Sequence, residues 1–135
     1  MGANSSDFPW PSYYGEHAFL KKVMWGNNKV TDIIEVEKAV YDIERSYGDT
    51  IRIFVCECYS FGAAEYEEAM TNLKDINAII IDSNWCNYTG DAKIMAYSDG
   101  VGLFKIVEFM HQARLRNYLE PTEDEKEMYK AHGII

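Results

Sequence analysis

The chain lacks excess positive charge, paired cysteines and long apolar runs, and each absence excludes a class of protein. Its 13 basic side chains stand against 22 acidic ones, a formal charge of −9, so its average field disfavours indiscriminate binding to nucleic acid. Three cysteines are an odd number, which excludes a complete disulfide framework and predicts free thiols in a cytoplasmic protein. No apolar run approaches the roughly 18 residues that a spanning helix needs. The first residues also lack the pattern of a secretory signal, so we expect no membrane partner.

The residues that are present predict a single α/β domain with an arm and a tail. Apolar residues make up 47% of the 135-residue chain and aromatic residues 14%, which is enough for one ordinary core. Two prolines among aromatic residues predict an N-terminal arm over 1–14. The domain is expected over 15–118 and an acidic tail over 119–135. We expect a helix in this tail, because Pro121 and the acids after it suit a first helical turn. Its acids form either a solvated face or a contact for a basic partner.

The segment 31–47 fits two different structures. Apolar residues recur at three- and four-residue steps, which is typical of an amphipathic helix. Its β-branched residues instead favour two strands, at 31–36 and 39–45, with a turn at 46–49. We expect the hairpin, because the pattern that follows agrees with it.

Outside 31–47, the predicted domain alternates between strand and helix patterns. Strands are predicted at 50–58, 77–81 and 101–104, and helices at 15–25, 63–74, 89–98 and 106–117. This alternation predicts right-handed parallel units. Together with the hairpin, it predicts a small mixed sheet flanked by helices.

Two carboxylates are candidate metal ligands within this arrangement. If the hairpin forms, Asp42 and Glu57 lie on neighbouring strands. Paired acids suit Mg²⁺ or Mn²⁺, and such an ion can activate water and neutralise charge on a phosphate. Glu16, on the first predicted helix, would add a third carboxylate. The alternative is that these are ordinary polar residues, since 22 acids will always contain some suggestive pair.

A longer pattern resembles a known superfamily. Its parts are VYDIE at 40–44, a Gly-Asp turn at 48–49, IFVCECY at 53–59, III at 79–81, YTGDAK at 88–93 and GVGLF at 100–104. In this order they resemble the core of restriction-endonuclease-like domains, the PD-(D/E)XK superfamily, particularly its archaeal and Mrr-like branch. The resemblance covers about residues 15–117. It implies a restriction-endonuclease-like fold and either a divalent-metal-dependent nuclease or a catalytically degenerate relative.

The resemblance also assigns residues to the site. It places the metal-binding acids at Asp42 and Glu57, a helix acid at Glu16, and Mg²⁺ or Mn²⁺ as the cofactor. The lysine that would polarise the attacking water falls at position 59, which is Tyr59. A tyrosine supplies no permanent cation, so either another lysine acts or the site is inactive. The two lysines that could replace it are Lys38 and Lys93.

A second group of residues follows a predicted central strand. Asn84, Trp85 and Tyr88 lie just beyond the carboxyl end of strand 77–81. Ligands of open α/β sheets commonly bind there, so we predict ligand contacts at these residues, against the alternative of a packed loop. The partner would be a nucleic acid bound at a local site or, if the chain is a non-enzymatic acidic inhibitor, decoy or immunity-type protein, a basic protein.

Overall fold

The chain folds around a mixed five-stranded sheet with helices on both faces. The structure is a computed structural model that describes Lys22, residues 24–82 and residues 86–135. Its elements in chain order are β1 (Val30–Glu37), β2 (Val40–Arg45), β3 (Thr50–Cys56), β4 (Ser60–Phe61), α1 (Ala63–Asn72), β5 (Ala78–Ile81), β6 (Asn87–Tyr88), α2 (Gly90–Ser98), β7 (Gly102–Lys105), α3 (Ile106–Gln112) and α4 (Glu123–Ala131). The predicted arm, the predicted metal ligand Glu16 and the predicted ligand contacts Asn84 and Trp85 lie outside the described residues.

The main sheet has the order β1-β2-β3-β5-β7. Its first three strands form an antiparallel meander, and β5 and β7 then add in parallel through helical crossovers. A separate two-stranded sheet pairs β4 with β6. The predicted mixed α/β fold is therefore confirmed.

The hairpin prediction for 31–47 is confirmed, and the helix alternative is wrong. The misleading periodicity arises because β2 buries residues on both faces, with Val40 on one side and Tyr41 and Ile43 on the other. The β2–β3 turn closes when the Arg45 N–H donates to the Asp49 carbonyl at 3.0 Å. The turn also contains Gly48 at φ 89°, a conformation that glycine adopts without strain.

Side chains alternate along the strands and divide the core into two layers. The α1–α2 face carries Val40, Phe54 and Cys56, packed with residues of α1 and α2. The α3 face carries Ile43, Val55 and residues of α3. No helix in the described part of the chain is long and apolar enough to cross a membrane.

The C-terminal segment packs against the domain through one face of α4. Tyr129 is 1% exposed, and its ring stacks on Tyr97 of α2 with 4.0 Å between centroids. The Glu125 carboxylate lies 3.2 Å from the Lys93 ammonium group. Glu125 also accepts a hydrogen bond from the Thr122 N–H, as the N3 residue of a capping box. The other acids of the first turn of α4 face outward.

Candidate functional site

The structure separates the two carboxylates that the sequence had grouped. Asp42 pairs across the β2–β3 ladder with Arg52, which lies five residues before Glu57 in the chain. Five strand residues span about 16 Å. Arg52 holds Asp42 with two hydrogen bonds, of 2.8 and 3.0 Å.

Asp42 and Glu57 also lie on opposite faces of the sheet. Asp42 alternates with Tyr41 and Ile43, which belong to the α3 face, so it lies on the α1–α2 face. Glu57 alternates with Cys56 and Cys58, which belong to the α1–α2 face, so it lies on the α3 face. A divalent cation needs its carboxylate ligands within about 2–3 Å of one point. The predicted metal pair is therefore not formed, and these two residues do not fit a shared Mg²⁺ or Mn²⁺.

Neither Lys38 nor Lys93 supplies the cation that the motif lysine would provide. Lys38 is an exposed residue of the β1–β2 turn. This turn lies at the carboxyl end of β3, because the Val55 N–H donates to the Ala39 carbonyl at 2.9 Å. Lys38 is thus at the same end of the sheet as Glu57, but it is exposed while Glu57 is 2% exposed. Tyr59, at the position of the motif lysine, is 65% exposed.

Lys93 is committed to a structural contact. It is 5% exposed, and its ammonium group donates to the Leu103 carbonyl and lies against Glu125. It also lies 4.6 Å from the ring centroid of Phe104. Its role is to join α2 and β7 to the C-terminal helix.

The carboxylate that does lie beside Glu57 is Asp82. Cys56 and Ile81 pair in the parallel β3–β5 ladder, and the Asp82 N–H continues it by donating to the Cys56 carbonyl at 2.9 Å. The residues that follow these two strands, Glu57 and Asp82, are therefore neighbours at the carboxyl ends of β3 and β5. Both are buried, with Asp82 8% exposed.

This buried pair changes the acidity of Asp82. Burial, and then the neighbouring Glu57, raise the pKa of Asp82 from 3.8 to about 7. Its Oδ1 atom is buried and has no hydrogen-bond partner among the described residues. Asp82 therefore gains or loses a proton near neutral pH at a site with little access to water. In the sequence Asp82 directly follows the predicted strand 77–81, and the carboxyl ends of adjacent parallel strands are where ligands of open α/β sheets bind.

Tyr88, the predicted ligand contact that lies within the described residues, makes a partly buried hydrogen bond within the domain. Its hydroxyl donates to the Glu108 carboxylate, 2.9 Å from each oxygen. Glu108 also accepts from the Lys105 N–H at 2.8 Å, which caps α3. Burial, and then Glu108, raise the pKa of Tyr88. The hydroxyl therefore fastens β6 to the start of α3.

A buried arginine, which the sequence had not singled out, fixes the other end of the sheet. Arg45 is 3% exposed and donates to the carbonyls of Ala113, Leu115 and Arg116. It also makes a two-pronged contact with Asp49, and this hydrogen bonding lowers the pKa of Asp49. Arg45 is thus a structural cation that joins the β2–β3 turn to the segment after α3.

The most open strand of the sheet is β1, at its edge. Its side chains include Asp32, Glu35 and Glu37 and no basic residue. Ile34 and Val36 are 42% and 39% exposed. We call this strand, Val30–Glu37, the acidic edge.

No family model, curated protein or solved structure matches the chain. Across residues 24–82 and 86–135, no group of three or more His, Cys, Asp or Glu side chains is placed to hold a metal ion.

Proposed function

We propose that the chain is a non-hydrolytic binding domain on a restriction-endonuclease-like scaffold, and that it recognises a basic segment of another protein. The observation that carries the proposal is the placement of Asp42 and Glu57 on opposite faces of the sheet. Two carboxylates that cannot share a metal ion cannot form the hydrolytic site that the resemblance implies.

The scaffold part of the proposal is supported by the order of the elements. A hairpin, a strand followed by Glu57 and two parallel units occur in the sequence order that the resemblance implies. The position of the motif lysine, however, holds the exposed Tyr59. A developing phosphate charge would find no permanent cation there. The order of the elements thus supports a restriction-endonuclease-like framework, and the exposed Tyr59 supports a non-hydrolytic role for it.

Recognition of a basic segment is supported by the net charge of the chain and by the position of its acidic residues that are unpaired within the described chain. The formal charge of −9 steers basic surfaces toward the chain and repels phosphate. On and beside α4 the charge is partly neutralised, because Lys126 lies 3.2 Å from Glu123 and 4.0 Å from Glu120. The three acids of the acidic edge form no ion pair with any residue the structure describes. The strand β1 is therefore favoured over the tail as the contact surface.

Selection from a random peptide library on the immobilised chain tests this function. Because charge attraction is screened by salt, we expect the enriched peptides to carry lysine or arginine and to lose affinity as the salt concentration rises. A variant with Glu35→Lys and Glu37→Lys serves as a counter-selection. Failure to enrich any peptide, or enrichment of peptides without basic residues, would overturn the proposed function.

A further inference from the structure

We propose that the acidic edge binds its partner by strand addition, so that an extended basic segment of another protein becomes a sixth strand beside β1. The inference rests on the proposed function and specifies how the partner is held. Main-chain hydrogen bonds would supply affinity, and alternating side chains would supply selectivity.

The main chain of β1 is open to such pairing, apart from the Ile33 N–H, which donates to the Asp32 carboxylate at 2.8 Å. An edge strand directs half of its N–H and C=O groups away from its neighbour, and within the described chain nothing pairs with the outer side of β1. Proteins commonly protect such an edge with charged residues, proline, β-bulges or a short strand. β1 is eight residues long, contains no proline, and has only acidic charges, which oppose an acidic strand but attract a basic one. Its two register irregularities lie towards its ends and leave a regular stretch between them.

The open stretch has defined limits. Pairing of β1 with β2 is irregular between Val30 and Asp32 and again between Glu35 and Glu37. Between these irregularities the register is continuous from Asp32 to Glu35. We therefore place the central contacts of the added strand at these four residues.

The side chains of this stretch select the partner. Asp32 and Ile34 share one face of the sheet, and Ile33 and Glu35 share the other, because strand residues alternate. Each face thus carries one acid and one aliphatic side chain, of which Ile34 is exposed and Ile33 is half-buried against the core of the α3 face. A fitting segment presents one cation and one aliphatic residue on each face, as in a repeat of two lysines followed by two valines.

A second copy of this chain is a poor occupant of the same edge. The strand has three acids and no basic residue, so pairing with itself would bring carboxylates together without a cation. Like charges opposite each other on paired strands are destabilising, whereas opposite charges are stabilising. The charge of the edge therefore favours a basic partner strand over self-association.

The binding test uses a fluorescent eight-residue peptide that contains two copies of the repeat Lys-Lys-Val-Val. Its matched control has the same sequence and charge, but alternate backbone amides are N-methylated, which removes the donors needed for strand pairing. Fluorescence anisotropy should show affinity at least about tenfold weaker for the methylated peptide. Hydrogen exchange should slow at residues 32–35 when the unmodified peptide binds. Equal affinity of the two peptides, or no binding of the unmodified one, would overturn strand addition.

Two protein variants distinguish the effect of charge on the acidic edge from the effect of net charge on peptide affinity. Glu35→Lys reverses a charge on the acidic edge, and Glu127→Lys makes the same change on the exposed side of α4. We expect Glu35→Lys to weaken the peptide by about tenfold and Glu127→Lys by less than about twofold. Equal weakening would mean that only net charge matters, which contradicts the inference. If library peptides still bind but neither N-methylation nor Glu35→Lys weakens them, the proposed function survives and strand addition fails.

Discussion

Replacing Asp82 with asparagine should make the protein more stable at alkaline pH and change the pH dependence of its stability. Asp82 is buried beside Glu57, and its pKa is raised from 3.8 to about 7. A raised carboxyl pKa means that the folded state holds the proton more tightly than the unfolded state does. The contribution of Asp82 to stability therefore falls as the pH rises from about 4 to about 7, and it is constant at higher pH.

The size of the effect follows from the pKa difference. A shift of about three units corresponds to about 4 kcal/mol of unfolding free energy at most. The new amide is also buried, and an unsatisfied buried polar group costs about 1–3 kcal/mol. The expected net gain for Asp82→Asn above pH 8 is therefore about 1–3 kcal/mol. Near pH 4 the gain should disappear or become a loss.

Urea unfolding of the wild type and Asp82→Asn at pH 4.5, about 6.5 and about 8.5 measures this difference across the predicted transition. The exposed Glu127→Gln on α4 removes the same charge and should give a small difference at every pH. If the free-energy difference between wild type and Asp82→Asn is the same at all three pH values, the argument from burial is wrong.

Two further changes test the contacts that hold the domain together. Arg45→Lys keeps the charge but loses the planar group that binds three carbonyls and Asp49. Urea unfolding should therefore show a free energy of unfolding about 2–4 kcal/mol lower than that of the wild type. A decrease below about 0.5 kcal/mol would contradict this structural role. Glu125→Gln leaves the buried Lys93 without its carboxylate, so amide exchange in α4 should accelerate while exchange in β3 does not. Unchanged exchange in α4 would show that Tyr129 alone holds this helix.

The sequence predicted most of the fold because its later strands and helices have clear boundaries. The uncertain part was 31–47, where β2 buries Val40 on one face and Ile43 on the other. A strand buried on both faces loses the alternation that identifies it. The hairpin was identified only because the rest of the sheet required it.

The site was less predictable, because spacing along the chain fixes neither register nor face. The β2–β3 turn pairs Asp42 with Arg52, and a shift of one residue would have moved every side chain to the other face. Asp82 could have been recognised from its place after a buried strand. The carbonyl groups that bind Arg45 lie 68 to 71 residues away, and no local pattern indicates them.

A nuclease assay on the wild-type chain tests the central claim most directly. Labelled single- and double-stranded DNA and RNA are incubated with the protein in Mg²⁺ or Mn²⁺, beside Asp42→Asn and Glu57→Gln prepared in the same way. Because these two carboxylates lie on opposite faces of the sheet, we expect no cleavage above the protein-free control. Metal-dependent cleavage by the wild type that is lost in both variants would contradict the account.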